Sequence, residues 1–296
     1  MGINAWLAKN TESLRGKRVA VTGSTGGLGL PLCSYLASLG ASLVLLDRNE
    51  KRSHEHGERL HALYGVEVEY LSLDLEDLSA ADRAVEHLQK IGIDVFFHNA
   101  GAYSIPRHLC ASGYENIFQI NFATPYYMIR RLLPMLNERN GRVVAVGSIA
   151  HNYSEIDIND IDFRSRRAAS KVYGNAKRYL MFSLFALAKD YPNVTISVVH
   201  PGITFTNITA HYPRPLFLLI KHPMKLIFMK PKKAALSLLA GVFESPQEGE
   251  WIGPRIFNVW GMPKIKRLHS CGEEERRRIA TAAEEVFEVC SKCLSN

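Results

Sequence analysis

Apolar and polar positions along the chain fall into two rhythms. Short apolar runs predict strands at Arg18–Thr22 (RVAVT), Ser42–Leu46 (SLVLL), Val66–Leu73 (VEVEYLSL) and Asp94–His98 (DVFFH). Between them, Gly29–Ser38, Glu50–Tyr64 and Ala80–Ile91 carry helical spacing. The alternation continues with a helix over Phe122–Leu136, a strand at Arg142–Val146, a long helix over Ala168–Lys189 and a strand at Thr195–Val199. It breaks between Pro201 and Lys233. A helix resumes over Lys232–Phe243, a last short strand is predicted at Arg255–Val259, and Glu273–Val289 reads as a charged amphipathic helix. Strands alternating with helices of this length predict βαβ units and a parallel sheet. The first, second and fourth strands are continuously apolar, as in a sheet covered on both faces. The third alternates with Glu67, Glu69 and Ser72, which suits a sheet edge. With no internal repeat and no stretch rich in Pro, Gly or Ser, the expectation is one α/β domain over residues 1–296 with a doubly wound, mostly parallel sheet.

Composition narrows this little. The 296 residues are 47% hydrophobic and 22% charged, ordinary for a globular chain that builds its own core. Five cysteines, odd in number and scattered, with no signal-peptide pattern, point to a reducing cytoplasm. Cys290 and Cys293 form one CxxC with no second pair, so no metal site is expected. The net charge is +7. Its densest groups are Arg164, Arg166 and Arg167; Lys230, Lys232 and Lys233; and Arg276, Arg277 and Arg278. None is interleaved with aromatic residues, so nucleic acid is not an expected partner. No apolar run reaches the roughly 18 residues that span a bilayer.

Candidate chemistry begins where the first strand ends, in Thr22-Gly23-Ser24-Thr25-Gly26-Gly27-Leu28-Gly29. A glycine-rich turn between a strand and a helix aims backbone N–H groups and a helix N-terminus at a pyrophosphate. Gly23, Ser24, Thr25, Gly27, Leu28 and Gly29 are therefore candidate cofactor contacts. Asp47 ends the second strand, where an acid binds adenosine ribose hydroxyls. Arg48 follows it, able to take a 2′-phosphate instead.

The pattern TGxxxGxG resembles the short-chain dehydrogenase/reductase family, and further motifs follow in that family's order. Asp74-Leu75 closes the third strand, where the family places an adenine contact. Asn99-Ala100-Gly101 matches its NAG. Asn121 opens the next helix, Ser148 ends the fifth strand, and Tyr173-Gly174-Asn175-Ala176-Lys177 matches its YxxxK. Pro201-Gly202 follows the sixth strand, with Thr206 at the position of a cofactor-contacting threonine. Ser148-Ile149-Ala150-His151, the residues after Tyr173, and His200-Pro201-Gly202 are similar to the retinol-dehydrogenase-like branch. Two departures stand out: Gly147-Ser148 where that branch often has two serines, and an acidic Asp47 before Arg48.

The resemblance implies strand order 3-2-1-4-5-6-7, hydride transfer between a nicotinamide dinucleotide and an alcohol/carbonyl pair, and a catalytic set of Asn121, Ser148, Tyr173 and Lys177. The residue chemistry agrees. A phenol is a poor base at its ordinary pKa of about 10. Lys177 shares a helix face with Tyr173 at i and i+4, so its charge is expected to lower that pKa and its ammonium to hold the nicotinamide ribose. Ser148 is placed to steady developing charge on the substrate oxygen. The resemblance gives Asn121 the task of positioning a proton-relaying water. His151 and His200 read as packing residues.

Asp47 tips the cofactor reading toward NAD over NADP. Residues 211–230 (HYPRPLFLLIKHPMKLIFMK) are too apolar for a small polar substrate and too proline-broken for one helix. The resemblance places a substrate lid here, and it reads as one over a lipophilic substrate, a retinoid, steroid or fatty aldehyde, ahead of plain packing on the core and of peripheral contact of Lys221, Lys225 and Lys230 with an anionic membrane surface. Relatives form dimers or tetramers through the helices that hold Asn121 and Tyr173, so a homodimer or homotetramer is the implied assembly. The competing function is a non-catalytic dinucleotide-binding sensor or scaffold, which has no need of all four catalytic side chains.

Overall fold

The computed structural model describes residues 2–204 and 228–295. Eight strands among them form one sheet: β1 (Arg18–Thr22), β2 (Ser42–Asp47), β3 (Val68–Ser72), β4 (Val95–His98), β5 (Arg142–Val146), β6 (Thr195–Val199), β7 (Glu250–Ile256) and β8 (Trp260–Arg267). Their order is β3-β2-β1-β4-β5-β6-β7-β8. Pairing is parallel from β3 through β7, and β8 runs antiparallel to β7. The half-polar third strand lies at the sheet edge, as its sequence predicts.

Side chains alternate across the sheet with period two. Val19, Val21, Leu43, Leu45, Val95, Phe97 and Val144 face one layer. It is built from α1 (Ile3–Asn10), α2 (Gly29–Ser38), Leu60 of α3 (Glu50–Tyr64), and α8 (Pro231–Phe243). Ala20, Val44, Leu46, Phe96, Val143, Ala145 and Val198 face the other. That layer comprises α4 (Leu78–Ile91), α6 (Thr124–Glu138), α7 (Ala169–Asp190) and α9 (Glu273–Ser295). Burial on both faces is why β1, β2 and β4 read as unbroken apolar runs.

Several expectations need correction. The strand expected at Arg255–Val259 is a hairpin instead: Phe257 and Asn258 take φ of +48° and +58°, and Val259 N–H donates to the Ile256 carbonyl at 2.9 Å. Two central residues at positive φ make the turn that suits strand twist, but neither is glycine, and Pro254 and Pro263 sit opposite one another in the ladder. The helix expected from Phe122 begins as a single turn, α5 (Asn116–Phe118), and passes through a π-helical segment over Gln119–Ala123 before α6. The short helix α1 was not anticipated. Finally, α9 packs on α6 and α7 within the chain: Tyr126 Oη donates to Glu284 at 2.5 Å, and Tyr127 stacks on Phe287 at 5.6 Å. The helices through which self-assembly was expected are thus covered in part by the chain's own C-terminal helix. Of the expected lid, residues 211–227 lie outside the described residues. No described helix is long and apolar enough to cross a membrane.

Candidate active site

The C-terminal ends of β1, β2, β3 and β4 open into a cleft of about 340 Å³. Its walls include Gly23, Thr25, Gly27, Leu28, Asp47, Arg48, Asp74, Leu75, Asn99, Ala100 and Gly101, all expected cofactor contacts, together with Arg52 and Ile120. The turn that shapes it tolerates no side chain at Gly29, whose added Cβ would stand 2.2 Å from the Gly23 carbonyl oxygen. Asn99 fixes this turn to β4. Its amide donates to the Thr22 and Gly23 carbonyls at 3.0 and 2.9 Å, while the Thr22 hydroxyl accepts from the N–H groups of Asn99 and Ala100 at 3.1 Å each.

Asp47 belongs to the cleft wall and is also held by hydrogen bonds within the protein. It is 4% exposed. One carboxylate oxygen accepts from the Ser24 and Ser53 hydroxyls, the latter at 3.0 Å; the other accepts from Thr25 N–H at 3.1 Å and Thr25 Oγ1 at 3.0 Å. The carboxylate anchors the glycine turn to α3, and Ser24 points at it rather than into the cleft. Arg48 and Arg52 remain as exposed cations on the adenosine side. Arg52 was not anticipated from the sequence, because it belongs to α3 rather than to the glycine turn.

The four expected catalytic side chains lie near one another behind the cleft-lining Gly101, although none of them is itself among the lining residues. Asn121 lies in the π-helical segment; its amide donates to the Ala102 and Ile117 carbonyls at 2.8 Å each. Taking the Ile117 carbonyl by side chain is compatible with the wider helical turn there. Gly101 brings the groups together: a Cβ on it would meet Asn121 Oδ1 at 2.8 Å and Lys177 Nζ at 3.8 Å. Lys177 Nζ donates to the Val146 carbonyl at 2.9 Å and lies 5.8 Å from the Tyr173 ring centre. Ser148 neighbours the Tyr173 phenol closely enough to oppose the rise of its pKa.

The electrostatics differ from expectation. Burial pushes the Tyr173 phenol up to about 12; the Ser148 side chain works the other way but less strongly, and Tyr103 adds to the rise. Burial pushes Lys177 down to about 7, so near neutrality this ammonium carries only part of its charge. Desolvation outweighs the pairing that the i, i+4 spacing suggested. His98, at the end of β4, is held well below the usual imidazole range by burial first and by Lys177 second. It stays neutral beside the lysine. Tyr103, whose ring meets Tyr173 edge-on at 5.3 Å, is a further neighbour that the spacing of motifs did not reveal.

Behind Ser148 stands a buried scaffold. His151 Nδ1 contacts the Ser148 carbonyl at 2.5 Å and Nε2 the Ser270 hydroxyl at 2.9 Å. Arg178, one residue past Lys177, donates to the His151 carbonyl at 3.0 Å, to the Ser270 carbonyl at 2.5 Å, and to both oxygens of Glu275 at 2.6 Å each. The start of α9 therefore buttresses the serine loop. His200 stacks on Trp251 at 5.0 Å, consistent with a packing role. Pro201 and Gly202 follow β6 but are not among the residues lining the cleft, and Thr206 lies outside the described residues.

With this geometry in place, comparison with known proteins is decisive at the level of family. Residues 17–215 match the short chain dehydrogenase family, and the chain belongs to it. It is a dinucleotide-dependent oxidoreductase. Polyprenol dehydrogenase from Mus musculus is 30% identical over 278 residues, spanning 85% of this chain and 78% of the relative. Retinol dehydrogenase 14 from Homo sapiens is 27% identical over 267 residues, spanning 82% and 78%. In fold, the chain is similar to a crystal structure of an uncharacterized protein from Mycobacterium paratuberculosis, with TM-score 0.74, 24% identity and 98% coverage of both chains.

Proposed function

We propose that this chain interconverts a lipophilic alcohol and its aldehyde or ketone, using NADP(H) in preference to NAD(H), with Tyr173 as the proton-transfer group. What supports the catalytic reading is the mutual proximity of Ser148, Tyr173, Lys177 and Asn121 behind the cleft-lining Gly101. A sensor or scaffold would not need a phenol, a serine and a partly neutral buried lysine as near neighbours.

A bound nicotinamide dinucleotide supplies or accepts the hydride. The glycine turn and the N-terminus of α2 would hold its pyrophosphate, Asp74 and Leu75 its adenine, and Lys177 its nicotinamide ribose. Tyr173, protonated at neutral pH in the free protein, donates its phenolic proton to the carbonyl oxygen in the reducing direction. Ser148 donates a hydrogen bond to the same oxygen as negative charge develops on it. In the oxidising direction Tyr173 takes the proton back. Asn121, whose Oδ1 lies beside Gly101, would seat a water between Lys177 and solvent.

The preference for NADP(H) reverses the leaning that Asp47 suggested. That carboxylate already accepts four hydrogen bonds from Ser24, Thr25 and Ser53, so a ribose diol would have to displace one of them. Arg48 and Arg52 are exposed cations on this wall, Arg52 reaching the Thr25 carbonyl at 3.4 Å, and a guanidinium pair suits a 2′-phosphate. The lipophilic substrate class is supported by the apolar composition of residues 211–230 and by relatives named for polyprenol and retinol. The test is turnover by the purified chain with each cofactor across ketones and aldehydes of rising chain length or ring count. The expected result is kcat/KM rising with apolar size and higher with NADPH than with NADH. Better turnover of small polar carbonyls contradicts the substrate class, and better use of NADH contradicts the cofactor reading.

A further inference from the structure

A second cluster of chemically capable side chains begins at Glu76, next in the chain to the cleft-lining Asp74 and Leu75, outside the catalytic set. Glu76 sits in the loop after β3; His108 and Cys110 sit in the segment after β4. Each offers one ligand atom, and those three atoms lie within 4.8 Å of one another. His108 Nε2 stands 2.9 Å from Glu76 Oε2. We propose that Glu76, His108 and Cys110 form a zinc site that clamps the segment after β4 to the loop carrying the cleft-lining Asp74 and Leu75.

The donor set argues for the metal. One imidazole nitrogen, one carboxylate oxygen and one sulfur suit Zn²⁺, whereas Mg²⁺ and Ca²⁺ take oxygen ligands. Zinc bonds of about 2.0–2.3 Å put tetrahedral ligand atoms about 3.3–3.8 Å apart. The Glu76–His108 pair therefore opens by a few tenths of an ångström and the sulfur closes by about 1 Å at most, movements that side-chain rotation supplies. His108 and Glu76 are both partly open to solvent, which leaves a water to complete the fourth position.

The backbone beneath the ligands is already fixed. His108 and Cys110 flank Leu109, which bridges to Glu115, so their side chains leave the same side of an extended segment. Cys110 N–H donates to the Tyr114 carbonyl at 2.8 Å, and Gly113 N–H donates to the Cys110 carbonyl at 2.9 Å. The buried amide of Gln119 then ties the two ligand-bearing segments together. It donates to the Glu76 carbonyl at 2.6 Å and accepts from the Ser112 hydroxyl. On binding, Zn²⁺ takes the thiolate and the thiol proton leaves to solvent.

The test needs no catalytic activity. The full chain is stripped with a chelator and titrated with Zn²⁺ in competition with a chromogenic chelator, beside His108→Ala, Cys110→Ser and, as a thiol control, Cys293→Ser. Wild type and Cys293→Ser should each take up one equivalent, and the other two variants should bind at least about tenfold more weakly. Matching circular dichroism and Tm without metal separate lost ligation from lost folding. Co²⁺ substitution should give a near-ultraviolet thiolate-to-metal band that Cys110→Ser lacks. Failure of the wild type to take up an equivalent, or uptake and a cobalt band that persist in Cys110→Ser, overturns the proposal.

Discussion

Replacing Asp47 by alanine separates an anchor from a ribose ligand. The carboxylate is nearly inaccessible and accepts from the Ser24 and Ser53 hydroxyls and from both the N–H and hydroxyl of Thr25. A hydrogen bond to a charged group contributes about 1.5–3 kcal/mol, and bonds sharing one acceptor do not add in full. Hydroxyls also turn to other acceptors once Asp47 is gone, whereas the Thr25 N–H cannot. Asp47→Ala should therefore cost about 3–4 kcal/mol in urea-induced unfolding followed by circular dichroism. Asp47→Asn keeps the shape but turns one acceptor into a donor facing two hydroxyls that can reorient, so its cost should be about half as large. Because the lost anchor holds the glycine turn to α3, kcat/KM with NADPH and with NADH should fall together, leaving their ratio within about threefold of wild type. A cost below about 1 kcal/mol, with use of NADH collapsing while use of NADPH survives, would make Asp47 a ribose ligand and refute the reasoning.

Arg48→Ala and Arg52→Ala, separately and together, should lower kcat/KM with NADPH by about tenfold or more in the double variant while leaving NADH nearly unchanged, read by initial rates with both cofactors. Lys177, pushed down to about 7, is deprotonated in the folded chain between about pH 7 and its ordinary value of 10.5, while the unfolded chain keeps its proton. The unfolded state binds more protons there, so this residue makes stability rise with pH across that window. Lys177→Met should flatten the rise and stabilise the cofactor-free protein at pH 7 by on the order of 2 kcal/mol, with turnover lost, as measured by denaturation at pH 7 and 9.5. Arg178→Met should lower stability by about 3–5 kcal/mol, because it strips Glu275 and two carbonyls of a buried partner, and should lower kcat more than it raises cofactor KM, since the serine loop loses its support.

The parallel sheet was legible because β1, β2 and β4 are covered on both faces and so carry unbroken apolar runs, and because Glu67, Glu69 and Ser72 mark an edge. The β7–β8 hairpin was not. Its turn uses Phe257 and Asn258 at positive φ in place of glycine, and Pro254 and Pro263 disguise the ladder. The catalytic set could be read because its members sit at fixed offsets from strand ends or on one helix face. What each group's surroundings do to it could not. Asp47 has the identity and position of a ribose ligand, yet Ser53, from the next helix, helps to turn it inward. Lys177 has the spacing to charge up Tyr173, yet both are buried and desolvation prevails. Arg178 with Glu275, and Glu76 with His108 and Cys110, join residues far apart in the chain, and no local pattern announces such pairs.

The central claim is that the Tyr173 phenol moves the proton. The most direct measurement is kcat for Tyr173→Phe on the best carbonyl substrate, with dinucleotide affinity measured on the same preparation by fluorescence titration. The phenyl ring keeps its neighbours Tyr103 and Lys177 and loses only the phenol oxygen. The account predicts a fall in kcat of about 10³-fold, within the range that a general acid contributes, with Kd for NADPH within about threefold of wild type. A Tyr173→Phe protein that binds NADPH normally and turns over within about tenfold of the wild-type rate would contradict it.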